Sequence, residues 1–160
     1  MADLKNVIAY LVTHYPHKSE LSKARLTKMV YLADWKSALD RGKPVTNIAW
    51  RFNHYGPYVD DVHKLALEDP EFDVQSEVTP FGNLKERIVL KSRNIDIRVA
   101  DDEAAILDHV IEQTRRLTWD PFIKLVYSTY PVLSGVRGEP LDLLKAANQY
   151  RNVESHFAKQ

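Results

Sequence analysis

The chain contains no cysteine. Disulfides, thiol nucleophiles and Cys-ligated metal are therefore excluded, and stability must come from packing alone. Glycine is scarce, at 5 residues, and proline stands at 8. No low-complexity linker or internal repeat interrupts the sequence. Neither charge dominates, since 22 Lys and Arg balance 22 Asp and Glu. That balance argues against a nonspecific nucleic-acid binder, which usually carries a basic excess. No apolar run approaches the roughly 20 residues needed to span a bilayer. The start, MADLKNVIAYLVTHYP, is amphipathic and lacks a signal-peptide layout. A soluble, cytoplasmic protein with no membrane partner is expected.

Apolar residues make up 44% and charged residues 28%, which is ordinary globular composition and enough for one core. A length of 160 residues fits a single domain, 1–160, better than two. Bases prevail from Lys18 to Arg51, acids from Asp60 to Glu77, and bases again from Lys85 to Arg98. Alternating solvated faces account for this; complementary patches for a partner are the sharper reading.

Leu4, Val7, Ile8, Leu11 and Val12 recur at helical spacing, and the helix should stop near Tyr15-Pro16. Ser19 or Ser22 can cap a second, long helix that Gly42 ends. Its apolar face holds Leu26, Met29, Val30, Leu32 and Ala33, with Tyr31 and Trp35 projecting on another side. In NIAWRFN, Ile48, Trp50 and Phe52 alternate with polar or small residues, the period of a half-buried strand. Pro57 suits the first turn of a helix running to about Glu68, with Asp60 and Asp61 favouring the positive end of its dipole.

Phe72, Val74 and Val78 on one run, and Leu84 to Leu90 on the next, flank the turn composition Pro80 to Asn83. Together they predict a β-hairpin with acids facing bases. NIDIRVA is a further short extended stretch. Helices resume at Asp101 or Asp102, with Ala105, Ile106, His109, Val110 and Leu117 on one stripe. WDPF starts another, Asp120 as N-cap and Pro121 at N1, ending by Pro131. A last helix begins near Pro140 with Leu141, Leu144 and Ala147, and the tail after Tyr150 should fray. The sum is α+β: a mainly helical single domain with a small antiparallel β-sheet or hairpin inserted mid-chain.

Catalytic signatures are thin. His14-x2-His17, and His54 with Asp60, Asp61 and His63, could supply metal ligands, but no strong spacing such as HExxH is present. Surface or satisfied core histidines explain them better. There is no GxSxG elbow, and neither GxGxxG nor a Walker A motif. The acid pairs Asp60-Asp61 and Asp101-Asp102 sit at expected helix starts, and adjacent helical residues diverge by about 100°, poor geometry for a dyad. No enzymatic activity, metal or cofactor is expected. A winged helix with Lys85, Arg87 and Lys91 on the wing is the DNA-binding alternative, which the neutral charge weakens.

The aromatics remain. Trp35, Trp50, Phe52, Tyr55 and Tyr58 cluster around NHYGPYVDDVH. Core packing takes most of them, yet Tyr55 and Tyr58 flank a turn, and exposed tyrosines are favoured interface anchors. Gly56 allows a sharp corner and Pro57 fixes φ beyond it. The partner-binding candidates are Tyr31, Trp35, His54, Tyr55, Gly56, Pro57 and Tyr58.

The segment LTKMVYLADWKSALDRGKPVTNIAWRFNHYGPYVDDVHKL resembles the Panacea domain, the SocA-like antitoxin family. The shared pattern is Leu26, Lys28 to Tyr31, Trp50 and the Gly56-Pro57 step, within a best match of about residues 20 to 70. LTWDPFIKLVYSTYP resembles the family's C-terminal segment more loosely. Met29 stands where Leu is commoner, and Tyr58 where Val is frequent. The resemblance implies a non-enzymatic antitoxin that neutralises a cognate toxin by direct binding, with many members on mobile or phage-derived elements. It leaves the toxin unnamed and a homo-oligomer open. DNA binding is not expected of this domain alone.

Overall fold

The computed structural model describes residues 2–158, with side chains through 155. Among them are seven α-helices and two small antiparallel hairpins, so the architecture is α+β and mainly helical. The first helix, α1 (Leu4–His14), buries Val7, Ile8, Leu11 and Val12 at the spacing the sequence predicts. A 3-10 turn, Lys18–Glu20, leads into α2 (Lys23–Arg41). Ser22 caps α2, its hydroxyl accepting from Arg25 N at 3.1 Å, and Gly42 stops it in the left-handed region at φ 70°.

Helix α2 is the axis of the fold. It packs on α7 (Leu143–Ala158) and α4 (Asp101–Thr114), and also touches α1, α3 (Asp61–Glu68) and the hairpin strand β4 (Leu84–Leu90). Neighbours on so many sides bury nearly its whole girth from Arg25 to Trp35. Tyr31 and Trp35, set on another side of the helix and named as partner-binding candidates, are therefore core residues as well. Tyr31 is fully buried, bonded through its hydroxyl to Thr129 Oγ1 at 2.8 Å, and Trp35 lies against Tyr150.

The long hairpin forms as the alternation predicts. Strand β3 (Phe72–Val78) pairs with β4 from Phe72↔Leu90 to Val78↔Leu84. Glu77 stands opposite Lys85 and takes an ion pair from Arg87 at 2.8 Å. Only the near end reaches the core, through Phe72 and Ile88; Val78 and Leu84 are exposed.

Several boundaries differ from the sequence reading. NIAWRFN contributes only β1 (Phe52–Asn53) to a ladder. Its period-two burial survives because Trp50 and Phe52 bond to a distant segment: Leu141 N donates to Trp50 O at 2.9 Å, and Phe52 N to Glu139 O at 2.9 Å. Pro57 does not open a helix. It lies in β2 (Gly56–Pro57), which folds back on β1, and α3 begins only at Asp61 with Asp60 as N-cap. NIDIRVA forms no ladder, although Ile95, Ile97 and Val99 turn alternately onto the core.

On α4 the buried stripe is Ile106, Leu107, Val110 and Ile111, while Ala105 and His109 face out. Helix α5 (Trp119–Tyr127) is capped at Thr118, two residues before Asp120. A short α6 (Tyr130–Ser134) follows it. Helix α7 begins at Leu143, leaves Leu144 exposed and continues past Tyr150; the final two residues of the expected frayed tail lie outside the described residues. No helix of the described residues is long and apolar enough to cross a membrane.

Candidate functional site

Three charged residues are buried on α2, Arg25, Lys28 and Asp34, and two of them, Arg25 and Asp34, have hydrogen-bond partners within the chain. Asp34 is fully buried and accepts four bonds: from Val45 N at 2.9 Å, Thr46 N at 2.8 Å, Thr46 Oγ1 at 2.5 Å and Trp50 Nε1 at 2.8 Å. Burial pushes its carboxyl up, while the bonds from Thr46 and Trp50 hold it down. This knot ties the chain after α2 back onto the helix. Arg25 donates to the carbonyls of Thr114 and Leu117 at 2.8 and 2.7 Å and stacks over Phe122 at 4.4 Å. It thereby satisfies the end of α4, where orphan carbonyls need donors.

Lys28 differs. It is 3% exposed, and among the described residues no hydrogen-bond or ion-pair partner reaches its ammonium. The ring of Tyr58 faces it, 5.6 Å from Nζ to centroid. Burial drives its pKa down from 10.5 to about 8.

The hairpin β1–β2 builds the wall beside Lys28. His54 and Tyr55 form its tight turn, and Gly56 closes it at φ 97°. A side chain at Gly56 would be strained there, and its Cβ would also come within 3.3 Å of the Tyr127 ring. The Gly-Pro step thus lets the turn sit flat on α5. Helix α5 supplies the opposite wall, because Trp119, Ile123 and Tyr127 are spaced four apart and share one face.

Between these walls lies a cleft of about 630 Å³. Ala24 and Lys28 of α2 form one side; Asn53, His54, Tyr55 and Tyr58 form the second; Trp119, Ile123 and Tyr127 form the third. No Asp or Glu lines it. A second groove of about 780 Å³ adjoins it across Ala24 and Trp119, running to Phe81 and Leu84 on the long hairpin. Tyr55 is 76% exposed, Phe81 91% and Trp119 45%. Such apolar exposure along one channel is what an interaction surface offers.

Of the residues singled out in the sequence, His54, Tyr55 and Tyr58 come together at this cleft. Gly56 and Pro57 are buried supports beneath it, and Tyr31 and Trp35 lie inside the core away from any free surface. Tyr58 is half-buried, and burial raises its hydroxyl pKa. Lys28, Trp119 and Tyr127 were not among those residues. The four-residue spacing on α5 and the lone Lys within an apolar stretch of α2 were the signals for them. The histidines considered as ligands scatter: among the described residues no group of three His, Asp or Glu is placed to hold a metal. Two cations of the supposed wing are engaged internally, Lys85 with Ser19 O and Arg87 with Glu77.

A family model described as antitoxin SocA-like, Panacea domain, matches residues 26–131. The chain belongs to this family. The matched span reaches beyond the stretch near residues 20 to 70 that carries the clearest resemblance, and it takes in α2, both hairpins and α5, hence nearly every residue of the cleft. No curated protein and no solved structure matches the chain. In this Panacea-domain protein the residues that carry the resemblance occupy both kinds of position: Tyr31 and Trp50, which touch edge to face at 5.5 Å in the core, and Lys28, which faces the cleft.

Proposed function

We propose that this protein is an antitoxin that neutralises a cognate toxin by binding it directly. It acts in the cytoplasm and without catalysis. The binding surface is the aromatic channel that starts at Tyr55 and Tyr58, passes Trp119 and ends at Phe81 and Leu84. Family membership supports the class of function. The observation that carries the surface is the exposure of Tyr55, Trp119 and Phe81 along two adjoining clefts. Rigid aromatic side chains lose little entropy on binding and bury large areas, so they serve as anchors.

The DNA-binding alternative lacks a comparable support. Phosphate contacts need free cations, and Lys85 and Arg87 already have partners within the chain.

The test is co-expression with the product of the adjacent reading frame. Wild-type protein should relieve that product's toxicity and co-purify with it. A Tyr55→Ala/Trp119→Ala double variant should bind at least tenfold more weakly while melting at nearly the same temperature. Toxicity that the wild-type chain fails to relieve ends the antitoxin reading. Relief with undiminished affinity of the double variant ends the assignment of the surface.

A further inference from the structure

Lys28 raises a question that the fold does not answer. A lysine buried along its stem, whose ammonium reaches a cleft without meeting a counter-ion, is costly to keep charged. The other two buried ions of α2 have hydrogen-bond partners inside the molecule, although Arg25 Nε itself has none. Arg25 has two carbonyls and Asp34 has four donors. Lys28 has only the face of Tyr58, and no acid lines the cleft that reaches it. The chain supplies no counter-ion in the cleft, and the cleft leaves room for one from outside.

We propose that the cleft seats an acidic side chain of the partner protein, with Lys28 as counter-ion and Tyr55 and Trp119 gripping the apolar residues that flank the acid. This deepens the antitoxin reading and rests on it for the identity of the partner.

Three features define the occupant. First, Lys28 is the one Lys or Arg among the residues lining the cleft, and its ammonium lies 5.6 Å from the centroid of the Tyr58 ring. A phosphate is usually held by several donors or a cluster of backbone N–H groups, whereas one carboxylate needs one ammonium. Second, a volume of about 630 Å³ exceeds what one carboxylate fills and leaves room for the apolar flank. Third, the cleft continues across Ala24 and Trp119 into the second groove. That continuation gives a polypeptide somewhere to run and gives a small free acid nothing.

The site can be read without the toxin. The probes are capped tripeptides, acetyl-X-Glu-Z-amide with X and Z drawn from Phe, Leu and Trp, each beside a twin with Gln in place of Glu. Binding is followed through the NMR signal of the Trp119 indole. The best Glu members should bind at least tenfold more tightly than their Gln twins, and the difference should vanish in both Lys28→Met and Lys28→Gln. The wild-type comparison needs no variant, so a misfolded variant does not spoil it.

Equal binding of the twins, absence of binding by every member, or a Glu preference that survives Lys28→Met each overturns the proposal. If benzoate or N-acetylphenylalanine binds as tightly as the best peptide, the occupant is a small carboxylic acid and the protein partner is refuted. Co-expression separates the two readings. Relief of toxicity by wild type and Lys28→Met alike leaves the antitoxin function standing and removes this site. A Lys28-dependent peptide preference in a chain that relieves no toxicity does the reverse.

Discussion

Replacing Lys28 by Met should make the protein more stable, against the usual direction for a core substitution. Met matches the length of the lysine stem and fills irregular space well, so packing changes little. What is removed is the charge. The fall in pKa from 10.5 to about 8 amounts, at about 1.4 kcal/mol for each tenfold change in proton affinity, to about 3.5 kcal/mol. That is the upper limit of the cost of keeping the ammonium in the cleft wall. Water at the cleft mouth reduces it, so a gain of about 1–3 kcal/mol at pH 7 is expected.

The pH dependence has a definite sign. Between pH 8 and 10.5 the unfolded chain binds the proton more tightly than the folded one. Stability of the wild type therefore rises with pH across that window relative to the variant, and below pH 8 the penalty is present in full. His54, Tyr55, Tyr58 and Tyr127 also line the cleft. They are common to both chains, so the comparison isolates Lys28. Urea unfolding of both proteins at pH 7 and pH 10.5 gives the result. The advantage of Lys28→Met should shrink at the higher pH. A variant less stable than wild type at pH 7, or an advantage that does not change with pH, would show that Lys28 is held by a favourable interaction and that the reasoning fails.

Asp34→Asn turns one acceptor into a donor facing donors, and should cost about 1–3 kcal/mol in urea unfolding; an unchanged midpoint would mean that the Val45–Trp50 knot carries no weight. Gly56→Val places a β-branched residue at φ 97° and against the Tyr127 ring. It should lower the melting temperature clearly, and a melt equal to wild type would refute the close approach of hairpin and α5. Inserting a few Gly and Ser residues between Pro80 and Asn83 should leave the helical circular dichroism and solubility intact, since loop-closure cost grows slowly with length. Insoluble protein would contradict the free end of the long hairpin.

What the sequence made legible was local. Ser22 and Gly42 bound α2 because capping and the left-handed stop involve only nearby residues. The long hairpin was legible because period-two alternation spans both strands and PFGN separates them. Apart from helix boundaries such as the start of α5, the main misses depend on distant partners. Tyr31 and Trp35 stood among the partner-binding candidates, but Thr129 and Tyr150 come from far along the chain to meet them. NIAWRFN reads as a strand, yet what pairs with it is the stretch near Glu139 and Leu141, in no strand of its own. Pro57 satisfied the rule for a helix start equally well as it satisfies a returning hairpin arm. Only the packing of Gly56 against Tyr127 distinguishes the two.

The cleft shows the same division, and it also separates structural ions from the one offered to a partner. Trp119, Ile123 and Tyr127 share a helix face by spacing alone, but nothing in the spacing says that Lys28 lies across from them. A folded sequence usually agrees with itself at every level, and violations gather where function outweighs stability. By that measure Arg25 and Asp34 are tied into the fold, because removing either leaves donors or acceptors stranded in the core, even though Arg25 Nε lacks a partner of its own. Lys28 is one: its removal strands nothing within the chain. A residue whose deletion is expected to stabilise the protein and to weaken its binding is retained for the binding. Stability and affinity measured on the same Lys28→Met protein should therefore move in opposite directions, a result that a purely structural lysine does not produce.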